Sequence, residues 1–138
     1  MEMVELLAQD GVVANLKASS KKQALQELSQ QAASLTGLHE RVIFDVLLQR
    51  EKLGTTGIGR GIAIPHGKMQ ELERLHGLFA RLPKPIDFDA IDEQPVDLIF
   101  LLLAPESAGA DHLKALARIS RLLRDDAVCE KLRGADDP

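Results

Sequence analysis

The chain has 138 residues, near the commonest size for a single domain and long enough to bury a core. Apolar residues make up 45% of it, and the core they offer is aliphatic, with four Phe and neither Trp nor Tyr. A formal net charge of −4 and so few rings argue against a nucleic-acid groove, which wants clustered basic charge and stacking faces. The one cysteine, Cys129, excludes an internal disulfide and a multi-cysteine zinc site. No apolar run approaches the roughly 18 residues of a membrane span. The opening Met1-Glu2-Met3-Val4-Glu5-Leu6-Leu7 is acidic and lacks a signal-peptide n-region. A cytoplasmic protein without direct membrane insertion is expected.

In chain order, a short helical turn is expected at Met3 to Ala8. Val12, Val13 and Leu16 suggest a first strand. Ser19 or Ser20 is placed to cap a helix whose Leu25, Leu28, Ala32 and Leu35 recur at steps of three and four. Gly37 ends that helix. A second helix is expected from about Glu40 to Leu53, with Ile43, Val46 and Leu47 inward and Gly54 as its stop. A glycine loop follows, then a short strand over Ile62 to Pro65. Another strand is expected from Leu75 to Leu82, and Pro83 to Asp97 reads as a connection. Val96 to Leu103 is the most apolar run and reads as a central strand buried on both faces. Asp111 to Arg124 reads as a helix with Leu113, Leu116, Ile119 and Leu123 on its core side. A last short helix is expected over Ala127 to Arg133, where Cys129 has a packing role. Helices flanking groups of strands imply a three-layer α/β or α+β domain.

The segment Gly57-Ile58-Gly59-Arg60-Gly61-Ile62-Ala63-Ile64-Pro65-His66-Gly67-Lys68 carries the chemistry. Three glycines lead into an apolar run that stops at a proline, and a histidine follows at once. Pro65 fixes its own φ, so the imidazole is held at the mouth of a sheet. Of the other histidines, His39 and His76 read as surface or half-buried positions. His112 differs, because Asp111-His112 opens a helix, and a helix N-terminus favours anions. Metal binding wants several close ligands, and no pair of histidines stands one helical turn apart. A Gly-x-Ser-x-Gly elbow is absent, so a histidine serving as base to a serine has no partner. There remains the imidazole as nucleophile, a phosphoryl acceptor with a free lone pair near pH 7. Such a site needs a cation and hydrogen-bond donors. Arg50 offers a planar fork, Thr55 and Thr56 offer hydroxyls, and Gly57, Gly59 and Gly61 offer approachable backbone N–H groups. The glycine loop is no Walker A motif, because the Gly-Lys-Ser/Thr ending is missing, and no nucleotide is expected.

Arg50-Glu51-Lys52-Leu53-Gly54-Thr55-Thr56-Gly57-Ile58-Gly59, continued by Gly61-Ile62-Ala63-Ile64-Pro65-His66-Gly67-Lys68, resembles the active-site segment of a bacterial family. These are the enzyme IIA domains of the phosphotransferase system of the fructose/mannitol/nitrogen-regulatory type. Phe88-Asp89-Ala90-Ile91-Asp92-Glu93-Gln94-Pro95-Val96-Asp97-Leu98 and Asp111-His112-Leu113 are similar to the family as well. The likeness runs from about Leu6 to Arg133, so residues 1–138 are one such domain. It implies an α/β fold with a mixed, mainly five-stranded sheet and helices on both faces.

The resemblance also implies roles. His66 accepts the phosphoryl group from the phosphohistidine of a small HPr-like carrier (NPr type), Arg50 counters phosphoryl charge, and His112 is a pocket histidine that orients. Thr55, Thr56, Gly57 and Gly59 support the phosphate, and neither metal nor cofactor is required. The Thr-Gly-Ile-Gly wording is most like the nitrogen-regulatory branch, whose members control partners such as potassium transport components or sensor kinases. The alternatives are a fructose/mannitol-type IIA that passes phosphate to a IIB cysteine, and an interaction module that has lost transfer. Two departures stand out. Arg60 occupies a position where members more often carry asparagine, and it is expected to face solvent. The chain stops at Asp136-Asp137-Pro138, short of the last C-terminal helix of the family; either the sequence is trimmed there or this member lacks the helix, and absence of the helix is expected to expose apolar surface and favour self-association.

Overall fold

The structure, a computed structural model, describes residues 7–13, 16–70, 72, 75–106, 110–123 and 129. Among them are β1 (Leu7–Val13), α1 (Lys21–Thr36), α2 (Glu40–Lys52), β2 (Gly57–Gly59), β3 (Ile62–Ala63), β4 (His66–Met69), β5 (His76–Ile86), β6 (Val96–Pro105) and α3 (Ala110–Leu123). One mixed sheet runs β1-β5-β6-β3-β2, and β4 also pairs with β6. β1 lies parallel to β5, β5 antiparallel to β6, β3 and β4 parallel to β6, and β2 antiparallel to β3.

β3 and β4 are two halves of one broken strand. Ile62 pairs with Leu98, Ala63 with Ile99, His66 with Leu102 and Met69 with Pro105, so the register against β6 is the same on both sides of the break. Six segments therefore occupy five strand positions, the mixed and mainly five-stranded sheet expected from the family. The sheet has helices on both faces. β6 shows why. Leu98, Phe100 and Leu102 pack with Ala115, Ile119 and Leu123 of α3, while Ile99, Leu101 and Leu103 pack with Leu25, Leu28, Ile43 and Leu47 of α1 and α2. Alternate side chains of a strand point to opposite faces, so an apolar run of this length serves two cores.

The first two of the long helices expected lie where their caps place them, and the third runs Ala110–Leu123 against the expected Asp111 to Arg124. Ser20 caps α1, its hydroxyl accepting from the Gln23 N–H at 3.2 Å, and Gly37 closes it in a left-handed conformation at φ 78°. α2 ends at Lys52, and the Gly54 N–H returns to the Glu51 carbonyl at 3.1 Å.

Other expectations need correction. Leu7 and Ala8 belong to β1 rather than to a helical turn; the rest of that turn, and most of the expected helix over Ala127 to Arg133, lie outside the described residues. The pairing of β1 with β5 decides the conformation there, as tertiary context often does for strands. Leu16 is buried just past β1 and donates its N–H to the Arg81 carbonyl at 2.9 Å. β5 continues through Pro83 and Pro85 to Ile86, where a connection was expected. The two prolines are exposed, and they fall where the β5–β6 register shifts between Arg81 and Ile86. Such an irregularity needs no ladder donor, so it tolerates proline. Cys129 is buried, and its thiol donates to the Leu123 carbonyl at 3.1 Å.

Candidate active site

His66 is the first residue of β4, just past the break made by Ile64 and Pro65. Proline cannot donate to a ladder, and it restricts the residue before it to extended backbone. The Pro65 carbonyl still accepts from the Leu102 N–H at 3.0 Å, and the Ile64 N–H goes the other way, to the Thr56 carbonyl at 3.0 Å. The Ile64 carbonyl receives the His66 side chain, at 2.9 Å from Nδ1. A carbonyl only accepts, so Nδ1 carries the proton and Nε2 the lone pair.

The second partner agrees. Arg50 Nε donates to His66 Nε2 at 3.2 Å, and Arg50 Nη1 donates to the Gly54 carbonyl at 2.9 Å. Arg50 stands on the last turn of α2 and is half-buried. Its approach depends on Gly67. A Cβ on Gly67 would stand 2.5 Å from Val46 Cγ1, so with valine at 46 α2 packs on β4 at a distance that leaves room only for glycine at 67.

His66 is half-buried, and burial holds its imidazole below the ordinary value of 6.5. The Ile64 carbonyl works against that shift, the Arg50 charge adds to it, and the Glu51 carboxylate opposes it. The neutral, nucleophilic form therefore prevails near pH 7.

The structure brings Arg50 and His66 together. His112 falls in the first turn of α3, on the opposite face of the sheet from α2, and its side chain lies outside the described residues. Thr55, Thr56, Gly57 and Gly59 have work inside the protein that was not foreseen. Thr55 donates its hydroxyl to the Phe88 carbonyl at 3.0 Å and accepts the Gly57 N–H at 3.0 Å, so that N–H is not open. Thr56 is buried and donates both its N–H, at 3.0 Å, and its hydroxyl to the Glu51 carboxylate. Gly57 lies against Ala90, where a Cβ would meet backbone at 2.9 Å. Gly59 has φ +103°. These residues seat the glycine loop on the 88–95 loop.

Arg60 is exposed, as expected from the sequence, and adopts φ 58°. This left-handed conformation is disfavoured for side chains other than glycine and, less so, asparagine, which explains why asparagine suits the position. The Arg60 N–H is held by Asp92 Oδ2 at 2.9 Å. The Asp92 carboxyl lies below the ordinary range, chiefly because of that bond and then because of the Gln94 N–H.

Sequence reasoning missed Glu51, Asp92 and the Gly67–Val46 contact. Glu51 gave one signal, its place beside Arg50 in the motif. Asp92 lay in the second stretch similar to the family and Val46 on the inward side of its helix, but neither named its partner, because each acts on a residue far away in the chain.

Residues 5–138 match the family described as phosphoenolpyruvate-dependent sugar phosphotransferase system, EIIA 2. The chain is 64% identical over 137 residues to a nitrogen regulatory protein of Bradyrhizobium diazoefficiens, covering 99% of this chain and 90% of that protein. It is 44% identical over 136 residues to a nitrogen regulatory protein of Klebsiella oxytoca, covering 98% of this chain and 84% of that protein. The crystal structure of the nitrogen regulatory protein IIA-Ntr from Neisseria meningitidis superposes with a TM-score of 0.92 at 35% identity, covering 96% of this chain and 91% of that one.

Proposed function

The chain belongs to the EIIA 2 family of the phosphoenolpyruvate-dependent sugar phosphotransferase system, and on that premise we propose that His66 accepts a phosphoryl group on Nε2 from a phosphohistidine of an HPr-like carrier. One observation carries the reading: Nδ1 is committed to the Ile64 carbonyl, which leaves Nε2 as the nucleophile, beneath a guanidinium.

The step balances without a base. The Nε2 lone pair forms the new N–P bond while the donor's P–N bond breaks, and that electron pair returns to the donor imidazole. No proton leaves Nε2, because none is there. The ring gains positive charge, and the Nδ1–H bond to Ile64 stabilises it. The Arg50 N–H that now rests on Nε2 is placed to move to the phosphoryl oxygens as the bond forms, meeting their charge with a planar fork. His112 orients the group from α3, and Thr55, Thr56, Gly57 and Gly59 hold the loop that shapes the site.

The likeness to nitrogen regulatory proteins supports a regulatory role in the cytoplasm, in which the phosphorylation state controls partners such as potassium transport components or sensor kinases. No helix among the described residues is long and apolar enough to cross a membrane.

The test is incubation with phosphoenolpyruvate, enzyme I and the HPr-like carrier. The wild type takes up acid-labile phosphate, and a folded His66→Ala variant takes up none. Normal labelling of His66→Ala would overturn the assignment.

A further inference from the structure

Lys21 is the first residue of α1, and no acidic residue accompanies it in the first turn. Glu51 stands in the last turn of α2. Each charge is at the wrong end of its helix, since the macrodipole favours anions at N-termini and cations at C-termini. The two meet at 2.9 Å, with the Glu51 side chain only 4% exposed. Burying such a pair carries a heavy desolvation cost, and a pair of apolar residues would often serve stability as well. Two local rules broken together mark a place where something besides stability is selected.

What Glu51 does there can be traced bond by bond. Its Oε1 accepts the Thr56 N–H at 3.0 Å, and its Oε2 accepts the Thr56 hydroxyl. The Thr56 carbonyl accepts the Ile64 N–H at 3.0 Å, and the Ile64 carbonyl accepts His66 Nδ1 at 2.9 Å. His66 Nε2 accepts from Arg50, the neighbour of Glu51 in the chain. The circuit closes on itself, from α2 through the broken strand to the ring and back to α2. Lys21 holds it from outside, its Nζ 5.0 Å from the centroid of the Phe88 ring and 3.8 Å from Asp89 Oδ2.

We propose that Glu51 is a positioning residue for phosphoryl acceptance: with Lys21 as its counter-ion, it locks the end of α2, and so Arg50, to the strand break that aims His66. This rests on His66 being the acceptor. Glu51 touches neither reacting atom; it sets the relation between the nucleophile and its cation, where a displacement of about 1 Å costs up to a hundred-fold in rate.

Glu51→Gln keeps the shape and one acceptor for the Thr56 N–H but removes the charge and the grip on Lys21. The expected result is a folded protein with a cooperative thermal transition. Its maximal rate of phosphoryl uptake from the carrier falls about ten- to hundred-fold, with little change in the carrier concentration needed for half-maximal rate. His66, followed by NMR, titrates at lower pH than in the wild type, because the Glu51 charge favours the protonated ring. Lys21→Met leaves the carboxylate uncompensated and moves the His66 midpoint up. A merely structural loosening would hydrate the ring in both variants and move both midpoints up. The proposal is overturned if folded Glu51→Gln takes up phosphate at the wild-type rate, or if its His66 midpoint fails to fall. Should Glu51→Gln not fold, a folded Lys21→Met with an unchanged midpoint and rate overturns it equally. Normal labelling of His66→Ala would sink the acceptor reading instead, and the titration arm would still report on Glu51.

Discussion

Gly67→Ala tests whether the packing of α2 on β4 is what brings Arg50 to His66. The new Cβ would stand 2.5 Å from Val46 Cγ1, where carbon atoms rest at about 3.5–4.0 Å. Val46 cannot swing the methyl away freely, because a β-branched side chain in a helix has one strongly preferred χ1. The helix must retreat by about 1 Å instead, at the roughly 1–3 kcal/mol typical of overpacking. For a chain of this length that lowers Tm by roughly 3–12 °C. Arg50 lies one helical turn beyond Val46, so it moves with the helix. Its 3.2 Å bond to Nε2 then opens to about 4 Å, beyond hydrogen-bonding distance. Scanning calorimetry reads the first effect, and the initial rate of phosphoryl uptake from the carrier reads the second. Val46→Ala in the same chain removes the clashing methyl and restores both, with a favourable coupling of about 1 kcal/mol or more between the two substitutions. A Gly67→Ala protein that melts within about 1 °C of wild type and takes up phosphate at the wild-type rate would refute this reasoning. So would a double variant no better than the sum of the two.

Two further predictions follow from the backbone at Arg60 and the proton on His66. Because Arg60 sits at φ 58°, Arg60→Gly is expected to be more stable than Arg60→Ala by about 1 kcal/mol. Both variants lose the same side chain, so only the backbone differs, and equal Tm values would contradict the strain. Because burial lowers the His66 pKa below 6.5, its NMR titration midpoint lies below that value, and phosphoryl uptake falls off with acid around that midpoint rather than above it. The unfolded chain takes up this proton at a higher pH than the folded one. The His66 contribution to stability is therefore complete above pH 6.5 and declines as pH falls through the folded midpoint; a midpoint above 6.5 would reverse the sign.

Much of the architecture was legible because it rests on local chemistry. Ser20 and Gly37 mark the ends of α1 by capping, and the run from Val96 declares a strand buried on both faces by lacking polar alternation. The position of His66 at the mouth of the sheet was legible for a similar reason, since a proline at the end of an apolar run interrupts a ladder and sets the next residue just past the break. What escaped was set by partners distant in the chain. β5 runs through Pro83 and Pro85 because its register against β6 slips there. The hydroxyls of Thr55 and Thr56 are spent on Phe88 and Glu51 rather than left for a ligand. The left-handed Arg60 is held by Asp92, 32 positions further on. Composition and periodicity carry no trace of any of these.

The broken strand explains why one proline can choose a nitrogen. Had residue 65 carried an N–H, β3 and β4 could have formed one unbroken parallel strand along β6, with which they already share a single register. Proline removes the ladder donor at that point but leaves its carbonyl on Leu102. It also keeps Ile64 extended, with its N–H directed to Thr56 on the other edge. The carbonyl of Ile64 is then left to the imidazole two residues later. That bond assigns the proton to Nδ1, and the assignment leaves Nε2 to Arg50. A ring free to take either tautomer would present its lone pair to the guanidinium only part of the time. Here the choice of the ring nitrogen that keeps its lone pair is made by backbone covalent structure.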